Sequence, residues 1–322
     1  MKKIPVIIDC DPGLDDAVAI YLALSSEMID VRAITAVAGN QTIEKTCDNV
    51  LRLLNAFGRL DIPVGRGAAR PLIQHKQYLA DHVHGETGLG KTILPLPDPQ
   101  PPVVPALDLI ISILESSDEP VTICPIGPLT NLAHLFILRP DLKPKIKCLS
   151  IMGGAASCGN ITPVAEFNIY ADPEAADVVF AAGVPIIMSG LDVTHKAYVT
   201  PSESARLKDA VATVGSALAE MIDFLGDTDS QFTDEPGSPI HDACAIAVLL
   251  WPELFVSRKC HVDIELAGDL TRGMTVVNLL NIIDQPVNAE VLLDLDRLRF
   301  VQNLTETLSA YQPQGFVGGT RA

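Results

Sequence analysis

No stretch of this 322-residue chain reaches the ~18 continuous apolar residues that a membrane-spanning helix needs. The first apolar run, Ile4 to Ile8, stops at Asp9, too soon to form the core of a signal peptide. Positive charge is scarce and scattered: Lys plus Arg number 23 against 40 Asp plus Glu, for a net charge of -17. That distribution offers no face to a phosphate backbone or an anionic bilayer, so nucleic acid and membrane are poor partners. The seven cysteines, Cys10, Cys47, Cys124, Cys148, Cys158, Cys244 and Cys260, are odd in number and never spaced C-x-x-C. This excludes a disulfide framework and a thiolate zinc site, and fits a reducing cytoplasm. Trp251, the sole tryptophan, lies between an apolar run and Pro252 and reads as a packing residue.

What the chain does have is core, with 48% hydrophobic and 20% charged residues. Short apolar runs alternate with segments of helical period: Ile4–Ile8 then Leu14–Ser25, Val31–Val37 then Ile43–Phe57, Val121–Ile123 then Leu129–Leu138, followed by Cys148–Met152 and Pro185–Met188. Such alternation predicts one α/β domain with a mainly parallel open sheet flanked by helices, Rossmann-like in layout. The Pro-rich stretch Leu94–Pro105 reads as a loop, residues 1–313 as a single domain and 314–322 as a flexible tail. In open parallel sheets the ligand sits beyond the carboxyl ends of the strands, so the text after each strand is the informative part.

One tempting motif fails this test. Gly85-Glu86-Thr87-Gly88-Leu89-Gly90-Lys91-Thr92 fits the G-x-x-x-x-G-K-[ST] pattern of phosphate-binding loops. Such a loop needs a strand before it and a helix N-terminus after it, to aim backbone N–H groups at the anion. Here Asp81-His82-Val83-His84 precedes it and Ile93-Leu94-Pro95-Leu96-Pro97 follows, which provide neither. His82 and His84 have no third histidine close by, so zinc is not indicated. His134 and His195 read as surface or structural residues.

After the first strand come Asp9, Asp11, Asp15 and Asp16, four acids within eight residues. A helix N-terminus accounts for two of them. Carboxylates ~4 Å apart repel by about 4 kcal/mol at an effective dielectric near 20, so the cluster must take up protons or a cation. Oxygen ligands favour calcium or magnesium over zinc, and calcium tolerates an irregular rim. His241-Asp242, opening the apolar run Ala243–Leu250, is a second arm that places an acid beside a base.

Asp9-Cys10-Asp11-Pro12-Gly13-Leu14-Asp15-Asp16-Ala17 resembles the D-x-D-P-G-x-D-D-A signature of the inosine–uridine-type nucleoside hydrolases. Gly39-Asn40-Gln41-Thr42, His84-Gly85-Glu86, Gly153-Gly154, Asn160, Ala165-Glu166-Phe167-Asn168, Asp172-Pro173 and His241-Asp242 extend the resemblance nearly end to end. It implies a calcium ion held by Asp11, Asp16, Asp242 and the carbonyl of Ile126, with Asp11 also the base for the attacking water and Asp9 supporting from behind. Asp15, Asn40, Asn160, Glu166 and Asn168 would grip the ribose. His84 and His241 would face the base, His241 as acid, with Gln231 and Phe232 as further base-side candidates. The Gly85–Thr92 loop resembles one that closes over the nucleoside.

The implied activity is calcium-dependent hydrolysis of ribonucleosides, pyrimidine nucleosides preferred, by a cytoplasmic homodimer or homotetramer acting in nucleoside salvage or catabolism. A base-nonspecific or purine-preferring hydrolase is the first alternative. Asp9-Cys10-Asp11 also resembles the D-x-D of haloacid-dehalogenase-type phosphatases, although Gly13 stands where that family wants Thr or Val. An inactive nucleoside- or ribose-binding protein is the remaining reading.

Overall fold

The computed structural model describes residues 2–211, 214–229 and 236–311. Gln231, Phe232 and the tail from 314 lie outside them. From the N-terminus the chain forms β1 (Ile4–Cys10), α1 (Leu14–Ser25), β2 (Ile29–Ala36), α2 (Ile43–Phe57), β3 (Val64–Arg66), the single turn α3 (Asp81–His84) and β4 (Val103–Pro105). The middle third follows as α4 (Ala106–Ser116), β5 (Val121–Pro125), α5 (Thr130–Leu138), β6 (Ile146–Met152), α6 (Phe167–Ala171), α7 (Pro173–Phe180), β7 (Ile186–Ser189) and α8 (Leu191–Thr194). The remainder is β8 (Tyr198–Val199), α9 (Pro201–Ala210), α10 (Gly215–Asp229), β9 (Ser238–Pro239), α11 (Ala243–Leu250), β10 (Phe255–Cys260), β11 (Val262–Ile264), β12 (Thr275–Val277), β13 (Ala289–Leu295) and α12 (Arg297–Ala310).

A nine-stranded sheet runs in the order β10-β13-β7-β6-β5-β1-β2-β3-β4. Every pair is parallel except β10 with β13, an antiparallel pair at the edge. The single α/β domain with a mostly parallel sheet expected from the alternation is what forms. One expectation needs correcting. The Pro-rich stretch Leu94–Pro105 ends in β4, because an edge strand tolerates a proline that donates nothing to the ladder.

The two-residue period of β1 sorts its side chains: Val6, Ile8 and Cys10 join the core beneath α1, α10, α11 and α12, while Ile7 joins the opposite core beneath α4, α5 and α7. Asp9 points the same way as Ile7 and meets Asn131 of α5. α1 is buried on all sides, Asp15 and Asp16 included. A helix with no wet face holds its N-terminus rigidly against the end of β1. From β1 the chain winds outward through β2, β3 and β4, then returns to lay β5 on the other side of β1. That reversal opens a crevice at the carboxyl ends of β1 and β5, where parallel sheets bind ligands.

Candidate active site

A cavity of about 530 Å³ lies over this crevice, lined among others by Asp15, Asn40, His84, Glu166, Asn168 and His241. A larger groove of about 670 Å³, at the amino ends of β6 and β7, includes none of the acidic cluster.

The acids converge as a buried group. Carboxylate oxygens of Asp15, Asp16 and Asp242 all lie within 4.8 Å of one another. Asp16 is fixed by three donors, the Gly13 N–H at 2.8 Å, the Asp11 N–H at 3.3 Å and Asn40 Nδ2 at 3.2 Å. The Asn40 N–H donates to Asp11 Oδ2 at 2.6 Å, whereas Asp11 Oδ1 is buried with no hydrogen-bond partner among the described residues. Burial, then the charge of Asp16, drives the Asp11 carboxyl well above the usual carboxylate range. Asp242 is displaced the same way by burial and by the charges of Asp15 and Asp16, and Asp16 is pushed up to about 6 by burial. Carboxylates this close repel unless a proton or a cation is taken up between them. Behind this group Asp9, pushed up to about 7 by burial, accepts from Thr35 Oγ1 and from Asn131 Nδ2 at 2.8 Å.

The hydroxyl-gripping side is built at the carboxyl end of β6. Glu166 caps α6, accepting from the N–H groups of Gly154, Asn168 and Ile169, and burial lifts its pKa to about 7. Asn168 Nδ2 donates to the carbonyls of Ile126 and Met152, both at 3.2 Å. Asn160 lines the cavity, its Oδ1 taking the Phe167 N–H at 2.9 Å.

A family model described as inosine-uridine preferring nucleoside hydrolase matches residues 6–302. The chain belongs to that family. It is 48% identical over 309 residues to a pyrimidine-specific ribonucleoside hydrolase RihA of Photobacterium profundum, covering 95% of this chain and 99% of that one. Among solved structures it resembles a plant nucleoside hydrolase (TM-score 0.89, 34% identity, 96% of this chain and 99% of that chain). It also resembles a purine-preferring ribonucleoside hydrolase of Gardnerella vaginalis (TM-score 0.88, 29% identity, 95% and 98%). The protein is therefore a ribonucleoside hydrolase, and the phosphatase and inactive-binder readings are set aside.

In this nucleoside hydrolase the carboxylates fit a hard divalent cation. Asp11, Asp15, Asp16 and Asp242 would hold it, one ion offsetting the repulsion that otherwise drives crowded acids to take up protons. The sequence places Asp15 with the ribose ligands, but the structure brings it equally into the acid trio. Ile126 also lines the cavity, and its carbonyl accepts from Asn168 Nδ2.

The hydrolase's histidines line the same cavity. The Leu14 N–H, at the start of α1, donates to His84 Nδ1 at 3.1 Å, so His84 carries its hydrogen on Nε2. Burial holds its pKa down to about 3, and the ring is neutral. Gly13 permits this approach: a Cβ there would lie 2.4 Å from His84 Nδ1. His241 is likewise held down to about 3 by burial, followed by the influence of His195, and its Nδ1 lies 2.8 Å from Thr194 Oγ1. His195 corrects the sequence reading. It lines the cavity, its ring 5.6 Å from that of His241 in an edge-on arrangement. Thr194 and His195 were missed although they follow the β7 strand end, where the carboxyl-end rule directs attention.

The Gly85–Thr92 loop is tied down rather than poised over the cavity. Gln41 Nε2 donates to Gly85 O at 2.9 Å, Asn49 Nδ2 to Thr87 O at 2.9 Å, and Thr92 Oγ1 to Glu220 Oε2 at 2.8 Å. Lys91 lies 5.8 Å from the Phe224 ring. Ala80, His82, Val83 and His84, just before the loop, form the wall instead.

Proposed function

We propose that this hydrolase cleaves the N-glycosidic bond of uridine and cytidine, using calcium at the acidic cluster. The observation that carries the reading is the convergence of Asp11, Asp15, Asp16 and Asp242 at a cavity that is also lined by neutral histidines. Similarity to pyrimidine-specific relatives supports the base preference; the shared fold with a purine-preferring enzyme shows that architecture alone does not set it.

Breaking the C1′–N bond sends its electron pair to the base and leaves positive charge on the ribose, which a carboxylate-lined floor favours. A bound cation supplies the charge that keeps the acids ionised and acidifies a water molecule. Asp11 takes the proton of the water whose oxygen joins C1′, and the departing base gains one in exchange, so the net change is addition of water. Asp15, Asn40, Asn160, Glu166 and Asn168 orient the ribose. The N–H edges of His84 and His241 meet the charge that grows on the base carbonyls. A neutral imidazole carries one N–H, so each ring can donate a hydrogen bond there without bearing charge.

A 5′-phosphate would face these carboxylates and be refused. We further propose a cytoplasmic homodimer or homotetramer serving nucleoside salvage or catabolism. Light scattering coupled to size exclusion checks the assembly.

The deciding experiment is ribose release from uridine, cytidine, inosine and UMP, with and without a calcium-selective chelator. Chelator-sensitive release from the two pyrimidine nucleosides is expected; equal turnover of inosine discards the base preference, and turnover of UMP discards the phosphate exclusion. Gly39→Ala provides a separate check on the cation. A Cβ at Gly39 would lie 2.1 Å from Asp11 Oδ2 and 2.7 Å from Pro128 Cδ, so the carboxylate must turn away. Calorimetry should show calcium affinity falling at least about tenfold, the equivalent of ~1.4 kcal/mol.

A further inference from the structure

We propose that Thr194 is a positioning residue for the leaving group: its buried hydroxyl donates to Nδ1 of His241 and so keeps the hydrogen of that ring on Nε2, the edge that meets the departing base. The proposal rests on the reading of His241 as a donor to the base and adds a residue to it.

Three features of the structure carry it. Thr194 is fully buried, and among the described residues His241 Nδ1, at 2.8 Å, is the only partner of its hydroxyl. A buried O–H without an acceptor costs about 1–3 kcal/mol, while a hydroxyl oxygen that accepts nothing costs less, so the direction Oγ1–H to Nδ1 satisfies the hydrogen. The two chain segments are also clamped in register. β8, just after Thr194, pairs antiparallel with β9, just before His241, matching Tyr198 to Pro239. The Ile240 N–H then donates to the Ala197 carbonyl at 3.0 Å, one residue from His241. Finally, His84, which lines the same cavity, shows the same polarity, with Nδ1 occupied by a donor that has no alternative direction, the Leu14 N–H. Both rings then present Nε2–H, a matched pair of donors. A pyrimidine leaving with an extra electron pair spreads its charge onto carbonyl oxygens that accept such bonds.

The test compares Thr194→Val, which keeps the shape and removes the hydroxyl, with Thr194→Ser, which keeps the hydroxyl. Two substrates are used: uridine, and 4-nitrophenyl β-ribofuranoside, whose leaving group departs without assistance. Thr194→Val should lower kcat for uridine about 10- to 100-fold with KM little changed, spare the nitrophenyl riboside, and be rescued by Thr194→Ser. Equal losses on both substrates, a uridine kcat within about twofold of the parent, or a serine variant as impaired as the valine one would overturn the proposal. His241→Ala separates the two layers. If it also fails to discriminate between the substrates, the donor reading of His241 falls and takes the Thr194 role with it; if it discriminates and Thr194→Val does not, only the Thr194 role falls. A measurement on the unaltered protein needs no variant to fold: ¹⁵N spectra of histidine-labelled enzyme, assigned against His241→Ala, should show the His241 hydrogen on Nε2. Finding it on Nδ1 refutes the proposal.

Discussion

Asp11→Asn is expected to cut kcat for uridine by about a thousandfold, within the range lost when a general base is removed, while the chelated protein melts no lower than the parent. The amide oxygen of asparagine can still accept the Asn40 N–H that Asp11 Oδ2 takes at 2.6 Å, so the backbone around the site has no reason to move. What disappears is Oδ1, the buried oxygen left without a hydrogen-bond partner among the described residues. A carboxylate there can take a proton from water; an amide cannot. The same change removes one of the mutually repelling acids, and sites that trade stability for activity gain stability when the functional group is lost. Steady-state kinetics and thermal unfolding in chelator test the two halves together. A near-parental kcat would dismiss Asp11 as the base, and a clearly lower midpoint would mean that its carboxylate supports the fold.

Chelated protein should also lose stability as pH rises from 5 to 8, with calcium restoring part of it. The sign follows from the shifted acids. Glu166 rises from 4.5 to about 7, Asp9 from 3.8 to about 7 and Asp16 from 3.8 to about 6, each driven first by burial. Between those limits the folded state binds more protons than the unfolded chain, so stability is greatest below the unfolded pKa and drains away as pH climbs through the folded one. For Glu166 alone the displacement is worth on the order of 3 kcal/mol. A fall in melting midpoint of roughly 5–10 °C over the window is expected for the ion-free protein. Calcium bound to the folded state only, at a hundred times its dissociation constant, returns about 2.7 kcal/mol, a part of the aspartate loss. The Glu166 part should persist in calcium and vanish in Glu166→Gln. A midpoint that stays level or rises with pH in chelator contradicts this account.

Much of this arrangement is legible in the residues because it is local. The strand-and-helix rhythm follows from apolar period, and the cluster from Asp9 to Asp16 sits on one strand end and one helix start. Asn40 and Ile126 follow the next two informative strands, β2 and β5. What escapes is decided by tertiary packing. Asp15 joins Asp16 and Asp242 only because α1 is buried against α11, which no spacing within β1–α1 encodes. Thr194 and His195 stand near His241 through a two-residue ribbon too short to leave a pattern. β4 hides among prolines because an edge position removes the usual penalty. The fixed position of the Gly85–Thr92 loop comes from Gln41, Asn49 and Glu220, polar residues whose partners cannot be guessed from their neighbours in sequence.

The winding of the sheet also governs when the enzyme comes into being during synthesis. β1 is made first yet waits for β5 to complete its flank, and its carboxylates wait for Asp242 at the head of α11. Long-range parallel pairing of this kind is slow, and a nascent chain lacking α11 has acids without the last member of their set. Translation that halts before α11 should therefore release a product with no partial activity.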